Sequence, residues 1–254
     1  MAGATGETAV EWFDCCAGFG ISKKPPARFS ATAEDLIEEM DFCGVAEALV
    51  YHAAAVEEAA VIGNRLVAEA AREHPRLHPC WAILPPETEE LGTVTDFLSE
   101  MRRHRVRALR AWPEEHRYLL NAITLGPLLE EIVTRRIPLL VGPDWPALTA
   151  LLADFPGLMM VVVGHGNWGE DRFFRPLLKR YAGFHVDVSV YHQDHGLSDL
   201  VRRYGAERVL YGSGYPQCQM GGSLLMVAHA DVSDDDKEAI SGDNLRRLLG
   251  EARP

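Results

Sequence analysis

The chain has 254 residues, of which 47% are hydrophobic, and its formal net charge is −12 at pH 7. These values are typical of a globular protein with a substantial core, and we assign residues 1–254 to one domain. The negative charge disfavours a nucleic-acid partner, because attraction to phosphate requires a basic patch.

No stretch of the chain has the pattern of a targeting or membrane segment. The opening MAGATGETAVEW lacks a basic segment followed by an apolar core, and no apolar run approaches the roughly 20 residues of a membrane span. The five cysteines are odd in number and form no CxxC pair, and adjacent Cys15 and Cys16 are expected on opposite faces of a strand. We therefore expect a reduced, cytoplasmic protein without a membrane partner.

Eight short apolar runs alternate with amphipathic segments along the chain. In order, the runs are AVEWFDCC, AEALVY, LHPCWAIL, VRALRAW, IPLLVG, LMMVVVGH, FHVDVSV and RVLYGS. The segments between them, such as TAEDLIEEMDFCG and LGPLLEEIVTRR, repeat apolar residues at the three- and four-residue spacing of a helix. Thr32 and Asp35 predict the start of the first such helix, and Gly44 predicts its end.

Strands that alternate with helices pair in parallel through right-handed crossovers. Eight such units in about 250 residues predict an α/β fold, specifically a (β/α)8 TIM barrel. An open, doubly wound sheet is the alternative. It is the weaker prediction, because no GxGxxG turn follows the first run.

In a TIM barrel the active site lies at the C-terminal ends of the strands. The ends of the predicted strands bring polar and aromatic side chains to one mouth. The candidates are Cys16, His52, Arg110, Trp112, His165, Asp187, His192 and Tyr215. Of these, we predict catalytic roles for His165, Asp187 and His192, and substrate binding for the other five.

Most of these candidates have a structural interpretation as well as a functional one. His165 is the predicted acid–base group because the pKa of histidine lies near neutrality, the alternative being a buried structural histidine. Asp187 alternates with two valines, and its carboxylate requires a partner if it faces the barrel interior. Arg110 is a candidate partner for Asp187 or for an anionic substrate, since its fork suits carboxylates. His192 is also compatible with a surface position, and His52 with core packing.

Five motifs occur in the order FDCCAGFG, IPLLVGPD, VVVGHGNWG, YGSGYP and ISGDNLRRLLG. This ordered set runs nearly from end to end and resembles the amidohydrolase superfamily, in its branch of metal-dependent hydrolases and decarboxylases. The resemblance implies an amidohydrolase-like TIM barrel whose site, at the C-terminal mouth, acts on a small organic molecule.

The resemblance also implies five metal-ligand positions, namely two histidines of the first strand, one each from the fifth and sixth strands, and an acid after the eighth. The corresponding residues here are Cys16, Gly18, Gly142, His165 and Gly214. Because zinc needs three or four converging protein ligands, we expect the family zinc site not to form and predict no cofactor. A residual site at Cys16 and His165 is the alternative, and Cys16 is otherwise a candidate nucleophile or an inert buried thiol.

Three of the four changed positions are glycine, which leaves two interpretations open. Either the vacated space holds another group, such as a ligand or the side chain of Trp145 or Tyr215, or the backbone there requires glycine.

We therefore expect a hydrolase or lyase that acts on a small organic substrate, carboxylated or cyclic, with most of the family's metal ligands lost. A non-catalytic ligand-binding or regulatory protein that kept the fold is the alternative. The expected partner is a small-molecule ligand, and the resemblance adds a homodimer as a second expectation.

Overall fold

The computed structural model of the protein describes residues 10–167 and 169–254. Eight parallel strands follow one another in chain order around a single sheet. They are β1 (Trp12–Phe19), β2 (Val45–His52), β3 (Leu77–Ala82), β4 (Ala108–Ala111), β5 (Leu139–Val141), β6 (Met160–Val162), β7 (Phe184–Asp187) and β8 (Val209–Leu210). This arrangement confirms the predicted (β/α)8 barrel. Residues 1–9 and 168, which the single-domain prediction includes, lie outside the described residues.

Helices lie between successive strands, and three more follow the last strand. They are α1 (Ala33–Cys43), α2 (Ala54–Glu57), α3 (Ala60–Glu73), α4 (Val94–Arg103), α5 (Ala122–Thr134), α6 (Trp145–Asp154), α7 (Asp171–Arg180), α8 (Gly196–Tyr204), α9 (Met220–Ala228), α10 (Asp234–Glu238) and α11 (Asn244–Glu251). α1 begins and ends as predicted. The Thr32 hydroxyl accepts a hydrogen bond from the Asp35 N–H at 3.1 Å, and Gly44 ends the helix with φ at 77°. None of the helices in the described part of the chain is long and apolar enough to cross a membrane.

One buried cluster fills the inside of the barrel, and a larger one lies between the strands and the helices. Members of the interior cluster include Phe13, Cys15, Cys16, Leu49, Cys80, Ala108, Leu140, Val161 and Leu210. Side chains alternate between the two faces of a strand. Arg110, two residues after Ala108, therefore also faces the interior, at the end of β4 that leads to the mouth.

Cys15 and Cys16 both belong to the interior cluster, so the expectation that they lie on opposite faces is wrong. The reason is an irregularity in β1, whose register against β2 shifts between Asp14 and Ala17. A bulge of this kind re-aims a side chain relative to strict alternation. Both thiols are therefore buried on one side of the strand, and only Cys16 reaches the mouth.

Asp14 closes the barrel between its first and last strands. Its Oδ1 accepts hydrogen bonds from the N–H groups of Cys16 and Ser213, each at 2.9 Å. Closer to the mouth, the N–H of Gly18 donates a hydrogen bond to the carbonyl oxygen of Tyr215 at 2.8 Å. Burial raises the pKa of Asp14 to about 6, despite these hydrogen bonds. A buried carboxyl group thus contributes to the closure, together with backbone hydrogen bonds between the two ends of the sheet.

Candidate active site

A cavity of about 360 Å³ opens at the C-terminal ends of the strands. Its wall contains four of the five predicted substrate-binding residues, namely Cys16, Arg110, Trp112 and Tyr215. The loops that follow β1 and β8 supply much of the remaining wall. A partly apolar cavity of this size with a few polar groups is typical of a small-molecule site.

Arg110 is the only predicted site residue with a permanent positive charge, and its guanidinium packs on two aromatic rings that contact each other. Its Cζ lies 4.8 Å from the ring centroid of Tyr51 and 4.8 Å from that of Trp112. One of its terminal nitrogens donates a hydrogen bond to Cys16 Sγ at 3.0 Å. The ion pairs of the described residues all involve other basic side chains. A charged guanidinium without a carboxylate partner therefore faces the cavity.

The thiol of Cys16 is protonated at neutral pH. Burial raises its pKa to about 11, although the charge of Arg110 acts in the opposite direction. A thiolate is the form that attacks an electrophile or ligates a metal. Cys16 is therefore a poor nucleophile here, and its sulfur serves as a hydrogen-bond acceptor for Arg110.

Tyr215 and Trp112 form fixed parts of the wall. The Tyr215 hydroxyl lies 3.0 Å from the hydroxyl of Ser30, and only 1% of the residue is exposed. Trp112 packs edge-on against Tyr51, with ring centroids 5.2 Å apart. Because both aromatic side chains are held by neighbours, they give the cavity a rigid apolar surface beside the guanidinium of Arg110.

Asp187 lies at the mouth end of β7 but is fully buried. Its Oδ1 accepts a hydrogen bond from the N–H of Gly164 at 2.9 Å, whereas Oδ2 is buried without a partner among the described residues. Burial raises the pKa of Asp187. Arg110 is not bonded to this carboxyl group, so the predicted ion pair is absent from the described contacts. Asp187 itself does not line the cavity, but Ser189, two residues further along the chain, does.

His165 is buried and does not line the cavity. Its Nε2 lies 2.9 Å from the carbonyl oxygen of Asp187, and its Nδ1 lies 3.2 Å from that of Gly166. Its ring packs against Phe174 and Tyr191, at centroid distances of 4.7 and 5.4 Å. These contacts correspond to the structural alternative, and the predicted acid–base role has no contact with the cavity to support it.

The other two histidines also lie outside the cavity wall. His192 is exposed in the loop that follows β7. The Nδ1 of His52 accepts a hydrogen bond from the N–H of Ala54 at 3.1 Å, and its ring packs on Phe19. Burial lowers the pKa of His52. The structure therefore places His52 and His192 apart from Arg110, contrary to the predicted convergence.

Tyr51 is the main wall residue that sequence reasoning missed. It precedes His52 at the end of β2, and neighbouring residues of a strand face opposite sides. The pairing of Gly18 with Tyr51 across β1 and β2 sets which of the two faces the barrel. An aromatic residue at a strand end is the only signal for Tyr51 in the sequence. Which of Tyr51 and His52 faces the barrel depends on the pairing of β1 with β2, which neither strand predicts by itself.

The three glycines at the family's ligand positions have three different surroundings. A Cβ added to Gly18 would lie 2.5 Å from Tyr51 Cζ, so the phenol ring occupies the space of any side chain there. Gly214 has φ at 66°, a conformation that favours glycine. A Cβ added to Gly142 would have no neighbour within 4 Å. Both interpretations of the glycines thus apply, each at a different position, and the group that fills the space is Tyr51.

The residues at the mouth do not fit a zinc ion of the kind that the family resemblance implies. No group of three histidine, cysteine or acidic side chains in the described part of the chain converges on a common point. The Cys16 thiol is protonated and bonded to a guanidinium, and both ring nitrogens of His165 face carbonyl oxygens. A zinc site needs deprotonated ligands around an open position, which this arrangement does not offer.

Comparison with solved structures gives relatives over almost the full length. A TIM-barrel protein from Bordetella bronchiseptica shares 20% identity, with a TM-score of 0.70 over 95% of this chain and 99% of that one. The 5-carboxyvanillate decarboxylase LigW from Sphingomonas paucimobilis shares 15%, with a TM-score of 0.70 over 95% and 99%. A dihydroxybenzoic acid decarboxylase from Polaromonas, with bound manganese and an inhibitor, shares 14%, with a TM-score of 0.73 over 96% and 98%. At these identities the likeness shows the fold.

Sequence comparison identifies the family. No curated protein matches the chain. The family model described as Amidohydrolase matches residues 16–250, which include the second half of the first motif and the other four motifs, up to the C-terminal helix α11. Because this match extends over nearly the whole barrel, the chain belongs to the amidohydrolase family.

Proposed function

We propose that the protein is an enzyme of the hydrolase or lyase type that acts on a small organic carboxylate in the cavity at the barrel mouth. The observation that carries this proposal is the guanidinium of Arg110, which faces the cavity and has no carboxylate partner among residues 10–167 and 169–254. Burying an unpaired charge is costly, so an anionic ligand that completes the pairing is the simplest role for it.

The structural relatives support the choice of a carboxylate. LigW and the Polaromonas protein are decarboxylases of carboxylated aromatic compounds by name. A planar ring would pack beside Arg110 against the aromatic wall that Tyr51 and Trp112 form together. We therefore favour an aromatic or other planar carboxylate over a flexible aliphatic one.

Within this proposal, Arg110 binds the carboxylate through two parallel N–H···O bonds, and Tyr51, Trp112 and Tyr215 hold the body of the molecule. Asp187, whose pKa burial raises, lies behind the wall residue Ser189 and retains the catalytic role that we predicted, whereas Glu57 and Glu115 are the acids of the wall itself. Asp187 would act through the wall at Ser189 by holding a proton that the reaction takes up or releases. His165 supports it through the carbonyl contact.

The test is a screen of aromatic carboxylates and their amides and esters, with product detection by mass spectrometry. We expect one of them to be converted, and R110Q to lose at least a hundredfold in kcat/KM while R72Q, at an exposed arginine, retains full activity. If ligands bind but none is converted, the protein is the non-catalytic binding protein of the alternative. That outcome would agree with the absence of His52, His165 and His192 from the cavity wall.

A further inference from the structure

The guanidinium of Arg110 lies beside two of the five positions at which the family resemblance puts metal ligands, because it bonds to Cys16 and packs on Tyr51, whose ring fills the space at Gly18. We propose that the guanidinium of Arg110 is the fixed positive charge of the site, and that Tyr51 closes the position from which a metal would be held. The cavity would then bind its anion without a divalent ion. This inference deepens the proposed function and rests on it for the nature of the ligand.

Tyr51 excludes a metal ligand at position 18 by its volume. Three atoms of its phenol, Cζ, Cε1 and the hydroxyl oxygen, lie 2.5, 2.7 and 2.8 Å from the place of a Cβ on Gly18. The ring cannot easily move aside, because Trp112 packs against it and the guanidinium of Arg110 lies over its face. An imidazole at position 18 and the ring of Tyr51 are therefore mutually exclusive.

Arg110 is held in the way a fixed cation requires. Two aromatic faces at 4.8 Å and one hydrogen bond to Cys16 at 3.0 Å fix the plane of its guanidinium. A guanidinium carries five N–H donors, and only the one to Cys16 is used among the described contacts. Several donors therefore remain for an anion, in the planar fork that matches a carboxylate.

The two kinds of cation favour different chemistry. A bound zinc ion lowers the pKa of water and so prepares it for hydrolysis. A guanidinium attracts an anion and neutralises its charge but does not ionise water. The arrangement of Arg110 therefore suits the binding and charge neutralisation of a carboxylate, and it supplies no activated water for hydrolysis.

Calorimetry can test this inference by measuring benzoate binding to three samples of the protein. One is treated with EDTA, one is untreated, and one is supplied with Mn²⁺. We expect the same Kd within twofold in all three samples. R110Q should bind at least tenfold more weakly, R110K should fall between, and R72Q should match the wild type. Circular dichroism and melting curves confirm that each variant is folded.

Each other outcome overturns one statement. Binding that disappears with EDTA and returns with Mn²⁺ would overturn the fixed-cation inference and leave the proposed function intact. If neither benzoate nor other carboxylates bind in any of the three samples, the carboxylate site is wrong, and the proposed function fails with it. Unchanged binding by folded R110Q would show that another group holds the anion, and would overturn the role of Arg110.

Discussion

The phenol ring of Tyr51 occupies the space that a side chain on Gly18 would need, with Tyr51 Cζ 2.5 Å from the place of that Cβ. Restoring a family-type ligand set must therefore involve both residues. Substituting the ligand positions alone would force the ring out of its contacts with Trp112 and Arg110. This relationship gives a direct test of how the mouth is built.

We predict that the variant C16H/G18H/G142H/G214D gains little zinc affinity, whereas the same variant with Y51A binds zinc at least tenfold more tightly. Removing the ring frees the space at position 18, and Gly142 already has open space around it. Equilibrium dialysis with metal analysis measures the two affinities. Equal zinc binding by two folded variants would show that Tyr51 is not the obstacle.

We predict that W112L weakens benzoate binding about fivefold, because it removes one of the two aromatic rings on which the guanidinium of Arg110 packs. A cation–π contact contributes about 1 kcal/mol, which corresponds to that factor. W145L is the matched control, since Trp145 is also buried but packs on Phe173 instead of the cavity wall. A comparable loss of affinity in W145L would indicate general destabilisation and contradict a specific role for Trp112.

The glycines at positions 142 and 214 should respond in opposite ways to alanine. G214A should lower the free energy of unfolding by about 1–2 kcal/mol, because φ at 66° is strained for a residue with a Cβ. G142A should be neutral or slightly stabilising, since its Cβ would meet nothing within 4 Å and alanine restricts the unfolded chain. Urea denaturation measures both values. A loss in G142A as large as in G214A would contradict the difference between the two sites.

We predict that Asp14 makes the protein less stable as pH rises from about 4 to about 6. Burial raises the pKa of Asp14 from 3.8 to about 6, so the folded state binds this proton more tightly than the unfolded state. The free energy of unfolding is then highest below pH 4 for this group, and ionisation removes about 3 kcal/mol by pH 7. Burial of Asp187 acts in the same direction.

Comparison with D14N isolates the contribution of Asp14. Asparagine keeps an acceptor oxygen for the N–H groups of Cys16 and Ser213 but does not titrate in this range. Urea denaturation at several pH values should therefore give a flatter profile for D14N than for the wild type, with D194N, at an exposed residue, unchanged from the wild type. A wild-type slope retained in D14N would assign the pH dependence to other groups.

The barrel itself was predictable because its signal is repeated eight times. Each apolar run and each amphipathic segment carries its own period, and the Thr32 cap and the Gly44 stop confirmed one helix at both ends. The same runs predict where the strands end, and Arg110 and Trp112 at one of these ends do line the cavity. Local periodicity thus accounts for the fold and for half of the site.

The other half depends on details that local patterns do not contain. The imidazole of His52 makes it a candidate from the sequence, but the register between β1 and β2 places its neighbour Tyr51 at the mouth. His165 and His192 follow the ends of their strands, where the two-residue alternation no longer governs direction. The shift in β1 that brings Cys16 beside Arg110 appears in its pairing with β2, which the sequence of β1 alone does not contain. These side chains are oriented by tertiary contacts.

The closure through Asp14 has a consequence for how the protein forms. Asp14 and Ser213 are 199 positions apart in sequence, so the ring stays open until the last strand is in place. Up to that moment β1 presents an unpaired edge, the kind of surface on which strands of other chains add. Contacts of such long range also slow folding. Opening the junction between the first and last strands would therefore also disrupt the cavity, because Gly18 and Tyr215 are bonded across this junction and both line the cavity.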